Sequence, residues 1–487
     1  MQDPVSTIEE ALLDPSLKDK VDLVLSKTDD GFYRVASADG SINFARQDSG
    51  DGSTEYSVVE QLGLNPLSDQ ATDTVLSMDE EKRMHASGAS PASYPNAFES
   101  VAQFFDSPDA SDVFVCRHPG FDPEGYSGQH GSLALVQSRA LLIASGAGTH
   151  HGSRGTGTER TVDIAPTIAS LLGLEADSRG KFLAKQDGRV LNHLLNGATA
   201  SHVVVLLLDG CNSNLLWDVV AAGEAPALAG LIDQGSILRQ GMTASLPTAT
   251  LANHTAAITG LHPGRSGILH HTWLKRDTGQ VPELLSFEEM FWASDHLAPG
   301  VETIFEVIER QRPGSFSTAT FEYCDRGASL SSFAMVRGGT TEGLPELSEV
   351  RHVDHVGWTA SAEYEFLSRV DHLSMVKKQT LQAWQQVDGN PLPTLSWCSF
   401  AVTDGAGHAS GPHGELARQA IIDTDGRVGE IIAAVDRAGA LDHTAFLVIS
   451  DHGMEQTDNA VVGDWHGALT QTGIGYRDIG EGLIYID

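Results

Sequence analysis

Three segments of this sequence place an aspartate, two of them with a histidine, where an apolar run stops. Asp209-Gly210 closes the run 203–208. Asp404 and His408, separated by Gly405-Ala406-Gly407, follow the run 397–402. Asp451-His452-Gly453 follows the run 446–449. Carboxylate and imidazole together form a donor set that suits zinc. A further segment, Pro247-Thr248-Ala249-Thr250, offers a hydroxyl. A threonine hydroxyl is a poor nucleophile until a base or a metal takes its proton. Ligands for a cation and an alcohol that a cation could activate therefore occur in one chain. Each feature has a plainer reading: Asp209 as a helix N-cap, Asp404 and His408 as a capped turn, Asp451 and His452 as a structural strand end. Neighbours inside a strand point to opposite faces. Asp451 and His452 therefore reach one site only if the chain turns there.

The elements that must position these groups are strands of an open α/β sheet. The unbroken run 203–208 suits a strand buried on both faces of a parallel sheet. Such sheets gather ligand chemistry at the carboxyl ends of their strands. Residues 236–241 read as a second strand. Residues 251–260 read as a helix closed by Gly260. Thr250 and Leu251 then stand at the start of that helix, where free N–H groups and the helix dipole favour an anion.

The chain has 487 residues, enough for one large α/β domain or two to three smaller ones. No run approaches 18 apolar residues, so no membrane span is expected. The first residues lack a basic stretch followed by an apolar core, and the four cysteines show no paired spacing; reduced thiols and a cytoplasmic location are expected. The formal net charge of −34 argues against nucleic-acid backbone as a partner. It also repels anionic substrates, so a site for one needs local positive charge from metals. The oligomeric state is left open.

Elsewhere, residues 19–60 read as a strand meander with Asp-Gly turns, 61–95 as loop-rich, 96–105 as a helix and 112–116 as a strand. The Gly/Ser/Thr-rich stretch 145–160 reads as a mobile loop. Region 272–394 carries a helix at 302–311, a strand at 316–321 and a long helix at 362–386. The end of the chain, 482–487, reads as a strand.

Four motifs in one order resemble the alkaline phosphatase superfamily, closest in its type I phosphodiesterase/nucleotide pyrophosphatase branch. They are Asp209-Gly210, the segment from Pro247 to His254, the segment from Asp404 through His408 to Pro412, and Ser450-Asp451-His452-Gly453-Met454. The resemblance implies a three-layer α/β/α sandwich around a mixed, mostly parallel sheet. It implies metal-dependent hydrolysis of small-molecule phosphoric esters, chiefly phosphodiesters or nucleotide pyrophosphates. Two divalent cations, zinc by donor type, are implied: one on Asp404, His408 and His130, the other on Asp209, Asp451, His452 and the Thr250 oxygen. Thr250 would form a phospho-threonine that water then releases. A phosphomonoesterase or phosphonoacetate-type hydrolase of the same superfamily is the alternative. A sulfatase is disfavoured because those use a modified Cys or Ser. A non-catalytic, metal-stabilised binding protein is the reading from another class.

His130 enters through Gly128-Gln129-His130-Gly131, which with Val162-Asp163 and Pro166-Thr167 resembles a segment found near the C-terminus of relatives. Here it comes first. The resemblance therefore implies one circularly permuted catalytic domain over 1–487. Residues 1–199 correspond to the usual C-terminal part and 200–487 to the usual N-terminal part, with 272–394 shaping the pocket. Folds with adjacent termini tolerate such rearrangement. His466, His150 and His151 are rivals to His130. Relatives of this branch carry an Asn 21 positions after the nucleophile; here that position is His271, preceded by His270. An imidazole N–H can donate similarly, which makes His271 a catalytic candidate and, with Leu251, a substrate-binding one. Lys275, Arg276 and Arg326 are candidates for either phosphate binding or structural pairing. Phe287, Phe291 and Trp292 read as core packing or, as the minority reading, a stacking wall.

Overall fold

The computed structural model describes residues 3–48, 54–88, 93–152, 155–286, 289–339, 367–371 and 380–487. The apolar run at 203–208 forms the strand His202–Leu208, at the centre of a seven-stranded sheet. Its side chains alternate with the pleat: Val203, Val205 and Leu207 enter one core and Val204, Leu206 and Leu208 the other. Leu395–Phe400 and Thr444–Ile449 flank it, both parallel. Ser317–Thr320 and Leu330–Ser331 extend the sheet in parallel on one side. Leu142–Gly146 and then Ser236–Ile237 close the other side with antiparallel pairing. The sheet is thus mixed and mostly parallel.

Helices cover both faces. Ser213–Ala221, Pro226–Gln234, Thr380–Trp384 and Glu415–Arg437 pack on one side. Ala97–Phe104, Ile164–Leu171, Thr250–Thr259 and Ile304–Gln311 pack on the other. This is the expected three-layer α/β/α arrangement. One continuous core joins Phe114, Ile164 and Leu171 to Val203, Val205 and Trp397, so residues before and after position 200 share it.

A second seven-stranded sheet, antiparallel throughout, runs in the order Tyr476–Asp478, Leu483–Ile486, Val113–Arg117, Val21–Lys27, Tyr33–Ser37, Gly40–Asp48, Thr54–Gly63. It contains the expected meander. The strand at the end of the chain joins it through Leu483 opposite Phe114 and Ile484 opposite Val113.

Local readings differ from the structure in three places. The strand expected at 236–241 stops at Ile237, because Gly241 turns the chain at φ +70° and a Cβ there would lie 2.4 Å from the Ala140 carbonyl oxygen. Within 61–95 the helix Met78–Ala86 forms behind a reciprocal Ser77/Glu80 cap, a signal present in the Ser-x-x-Glu spacing. Of the helix expected at 362–386, residues 367–371 and Thr380–Trp384 are helical, Gln385 and Gln386 turn out of it with Gln386 at φ +53°, and residues 362–366 and 372–379 lie outside the described residues; so do residues 153–154 of the 145–160 stretch. Among the described residues no single helix is long and apolar enough to cross a membrane.

Candidate active site

The site lies where the central strands end. Asp209 follows Leu208, and Gly210 turns away at φ +58°. The Gly210 N–H donates to Asp451 Oδ1 at 3.0 Å, and Thr403 Oγ1 donates to the Asp209 carbonyl at 2.6 Å. The strand Thr444–Ile449 stops before Ser450, and the bend that follows lets both Asp451 and His452 face inward, fully buried.

Asp404 and His408 sit on a helix, Val402–Ser410, and not on the capped turn of the plainer reading. Four residues apart, they share one helix face, with His408 Nε2 3.5 Å from Asp404 Oδ2. The start of this helix is held by Asp371, whose carboxylate accepts from the Ala401 and Val402 N–H groups at 3.1 and 2.9 Å.

Thr250 is the first residue of the helix Thr250–Thr259, capped at its far end by Gly260 in the left-handed region. Its Oγ1 lies 3.4 Å from Asp209 Oδ1 and 3.3 Å from His452 Nε2. Leu251 buries its side chain in the core, while its N–H belongs to the first turn and has no intrahelical partner. His130 follows the two-residue strand Gly128–Gln129. Its Nε2 lies 3.1 Å from His408 Nε2 and 3.7 Å from Asp404 Oδ1.

Three histidines share one device. His130 Nδ1 meets the Thr248 carbonyl, His408 Nδ1 the Gly128 carbonyl and His452 Nδ1 the Gly453 carbonyl, each at 2.9 Å. A carbonyl only accepts, so Nδ1 carries the hydrogen, and in the neutral ring Nε2 presents its lone pair to the site. Donor atoms from His130, Asp404 and His408 fall within 4.8 Å of one another, as do those of Asp209, Asp404 and His452. Asp404 Oδ1 and Asp451 Oδ2 are buried without a hydrogen-bond partner among the described residues. Buried acceptors and lone pairs that converge without donors fit divalent cations.

Electrostatics separate the two buried carboxylates. Burial, then Asp451 and Asp404, push Asp209 well above the usual carboxylate range. Asp451 holds the charge: burial opposes it, but His452 and His254 bring it down to about 2. His452 rises to about 9 through Asp451, against its own burial. His130 falls well below the ordinary imidazole value, through burial and the neighbouring His452 and His408.

His271 stands outside these clusters; its Nε2 is 3.5 Å from Glu481 Oε1. His466 begins the helix His466–Gln471 beside Asp478, with a side chain 55% exposed. His150 is exposed, and so is His151, which reaches the Asp233 carbonyl. Lys275 lies over Trp273, Arg276 pairs with Asp112, and Arg326 pairs with Glu306. Phe291 packs on Phe333, Trp292 is half exposed, and Phe287 lies outside the described residues.

The sequence reading did not single out His254 as a ligand, nor Glu322, Arg117 or Glu481. His254 Nδ1 is 2.9 Å from Glu322 Oε2. Burial disfavours charge on His254, yet Glu322 and Asp209 hold it well above the usual imidazole range. Glu481 pairs with Arg117 at 2.8 Å, and Arg117 also faces Asp122 at 3.4 Å. Only the histidine four residues after Thr250, on the same helix face, was a signal that local spacing could have carried.

The sequence model of the type I phosphodiesterase/nucleotide pyrophosphatase family matches residues 203–486. That span takes in Asp209, Thr250, Asp404, His408, Asp451 and His452, and leaves out His130. An uncharacterized pyrophosphatase/phosphodiesterase of Schizosaccharomyces pombe is 24% identical over 270 residues, covering 54% of this chain and 47% of the relative. The chain thus spans about half the length of the curated relative it matches. Among solved structures, murine ectonucleotide pyrophosphatase/phosphodiesterase 5, in an inactive form in complex with AMP, is similar at 18% identity and a TM-score of 0.38, over 57% of this chain and 64% of that one. Phosphonoacetate hydrolase from Sinorhizobium meliloti in complex with phosphonoformate is similar at 18% identity and a TM-score of 0.33, over 53% of this chain and 58% of that one. On a match to its sequence model over more than half its length, the chain belongs to the type I phosphodiesterase/nucleotide pyrophosphatase family.

Proposed function

We propose that this protein hydrolyses small-molecule phosphoric esters, chiefly phosphodiester or nucleotide pyrophosphate bonds, with Thr250 as nucleophile and two divalent cations, zinc by donor type. The observation that carries the reading is the position of Thr250 Oγ1. It heads a helix between Asp209 Oδ1 and His452 Nε2, at 3.4 and 3.3 Å, beside the convergent His130, Asp404 and His408. Asp404, His408 and His130 would hold one cation, and Asp209, Asp451, His452 and the Thr250 oxygen the other. Bound cations supply positive charge to the phosphoryl oxygens and favour loss of the Thr250 proton.

Thr250 Oγ forms a bond to phosphorus as the bond to the leaving oxygen breaks, and the leaving group keeps the electron pair. Water oxygen then bonds to phosphorus as the bond to Thr250 Oγ breaks, Thr250 takes up a proton that the water gives up, and phosphate or a phosphomonoester leaves. The first-turn N–H of Leu251 and the positive end of the helix dipole bind a phosphoryl oxygen. For His271 to supply a further N–H to the phosphoryl group in place of the branch's Asn, it would use Nδ1 or turn away from Glu481, since its Nε2 lies 3.5 Å from Glu481 Oε1. A monoester brings one more negative charge than a diester. Lys275, Arg276 and Arg326 are engaged elsewhere, which favours the diester reading.

We further infer that the chain is a circular permutation and one catalytic domain. Two observations support this. The Leu483–Ile486 strand pairs with Val113–Arg117, and residues before position 200 supply the Leu142–Gly146 strand of the central sheet.

The deciding experiment compares turnover of bis(4-nitrophenyl) phosphate with 4-nitrophenyl phosphate on protein of measured metal content. Faster diester turnover, lost on chelation and restored by zinc, is expected. Faster monoester turnover would move the protein to the phosphomonoesterase reading. Two bound cations with no turnover of either ester would make it a metal-stabilised binding protein.

A further inference from the structure

The helix that presents Thr250 offers a second polar group one turn later on the same face, His254. It is fully buried. Its Nδ1 lies 2.9 Å from Glu322 Oε2, and Glu322 is fixed in turn. Glu322 Oε2 also accepts from Ser399 Oγ at 2.9 Å, and its Oε1 accepts from the Cys324 N–H at 3.0 Å. A carboxylate in this position accepts, so Nδ1 carries the hydrogen, and in the neutral ring Nε2 is the free nitrogen. The same arrangement, with backbone carbonyls as acceptors, orients His130, His408 and His452.

His254 Nε2 is aimed between two carboxylates, 3.6 Å from Asp209 Oδ2 and 3.8 Å from Asp451 Oδ2. Both distances exceed a hydrogen bond. Neither His254 Nε2 nor Asp451 Oδ2 has a hydrogen-bond partner among the described residues. The donor atoms of Asp209, His254 and Asp451 all fall within 4.8 Å of one another. With Asp209, Asp451, His452 and Thr250, a further ligand makes the shell five-coordinate, where neighbouring ligands at about 2.1 Å stand about 3.0 to 3.6 Å apart, against 3.6 and 3.8 Å here.

We propose that His254, oriented by Glu322, is a nitrogen ligand of the cation that Asp209 and Asp451 share, on top of His452. This rests on the two-cation reading above. The nucleophile's helix is then tied to one cation at two points a turn apart, Thr250 and His254. A carboxylate behind a ligating imidazole fixes its tautomer and raises its basicity. Glu322 plays that part from the segment after the Ser317–Thr320 strand.

The test uses the full chain stripped of metal and reloaded with cobalt(II). Affinity for each equivalent is read by chelator competition and the ligand set by visible absorption. His254→Ala is expected to weaken one of the two equivalents at least 10-fold and to change the cobalt spectrum. Glu322→Gln is expected to do the same to a smaller degree, and the equivalent held by Asp404, His408 and His130 keeps its affinity. Should His254→Ala fail to fold, His254→Gln and Glu322→Gln carry the measurement. Wild-type affinities and an unchanged spectrum in the variants would overturn the proposal and leave His254 as an imidazolium paired with the carboxylates. Wild-type protein that binds no divalent cation would overturn both this and the proposed function. Protein that binds two cations and turns over no ester would overturn the function alone.

Discussion

Gly210 and Asp404 compete for one space: a Cβ on Gly210 would lie 2.3 Å from Asp404 Oδ1. The glycine also stands in the left-handed region at φ +58°. Gly210→Ala should therefore act twice. The backbone costs about 1–2 kcal/mol of stability, and displacing the Asp404 carboxylate should weaken binding of the cation proposed for Asp404, His408 and His130. Denaturant unfolding and metal analysis of the variant measure the two effects. A variant with full metal content and unchanged stability would remove Asp404 from the ligand set.

Thr250→Ala should lower turnover by several orders of magnitude and leave metal content nearly intact, because on the proposed ligand set carboxylates and imidazoles would hold the cations. Thr250→Ser, which keeps the hydroxyl, should retain far more activity. Near-wild-type turnover in metal-replete Thr250→Ala would sink the nucleophile assignment.

His130→Ala should lose mainly the cation shared with Asp404 and His408, since its Nε2 sits 3.7 Å from Asp404 Oδ1. His466→Ala should keep both, since His466 is half exposed beside Asp478. Equilibrium dialysis against zinc separates the outcomes, and the reverse pattern would promote His466.

Glu481 stands at the tip of the hairpin between Tyr476–Asp478 and Leu483–Ile486, in the left-handed region at φ +52°. Burial alone would raise its pKa, but Arg117 and the His271 hydrogen bond hold it well below the usual carboxylate range. A carboxylate depressed in the folded state stabilises it above the ordinary pKa of 4.5 and loses that contribution as pH falls through the folded value. Glu481→Gln should cost about 1–3 kcal/mol at pH 7. Below pH 4.5 the gap to wild type should narrow by about 1.4 kcal/mol per pH unit. Urea unfolding at several pH values reads this directly, and a gap that stays constant with pH would show that the pairing is not ionic.

Residues 200–487 alone should fail to yield a soluble, active unit. They lack the Leu142–Gly146 strand of the central sheet, the core helix Ile164–Leu171 and His130, so apolar surface would be exposed. Soluble expression with turnover from that fragment would argue against one shared domain.

The sequence by itself determined the elements that local pattern encodes. The runs at 203–208, 397–402 and 446–449 mark strands because a strand buried on both faces reads as continuous apolar sequence. The helix after Thr250 and its Gly260 cap are legible for the same local reason, and the order of the motifs pointed to the family. Packing decided the rest. Glycines 405 and 407 argue against a helix on propensity, yet Val402–Ser410 is helical. There Gly407 lies against Met454, and a Cβ on the facing Gly128 would come within 2.4 Å of the Gly407 carbonyl oxygen. That close approach brings His130 to His408. Glu322 reaches His254 across 68 positions and Glu481 reaches Arg117 across 364. No local pattern records such pairs, because a buried charge is matched by whichever opposite charge the fold brings near, and chain order places no limit on which one that is.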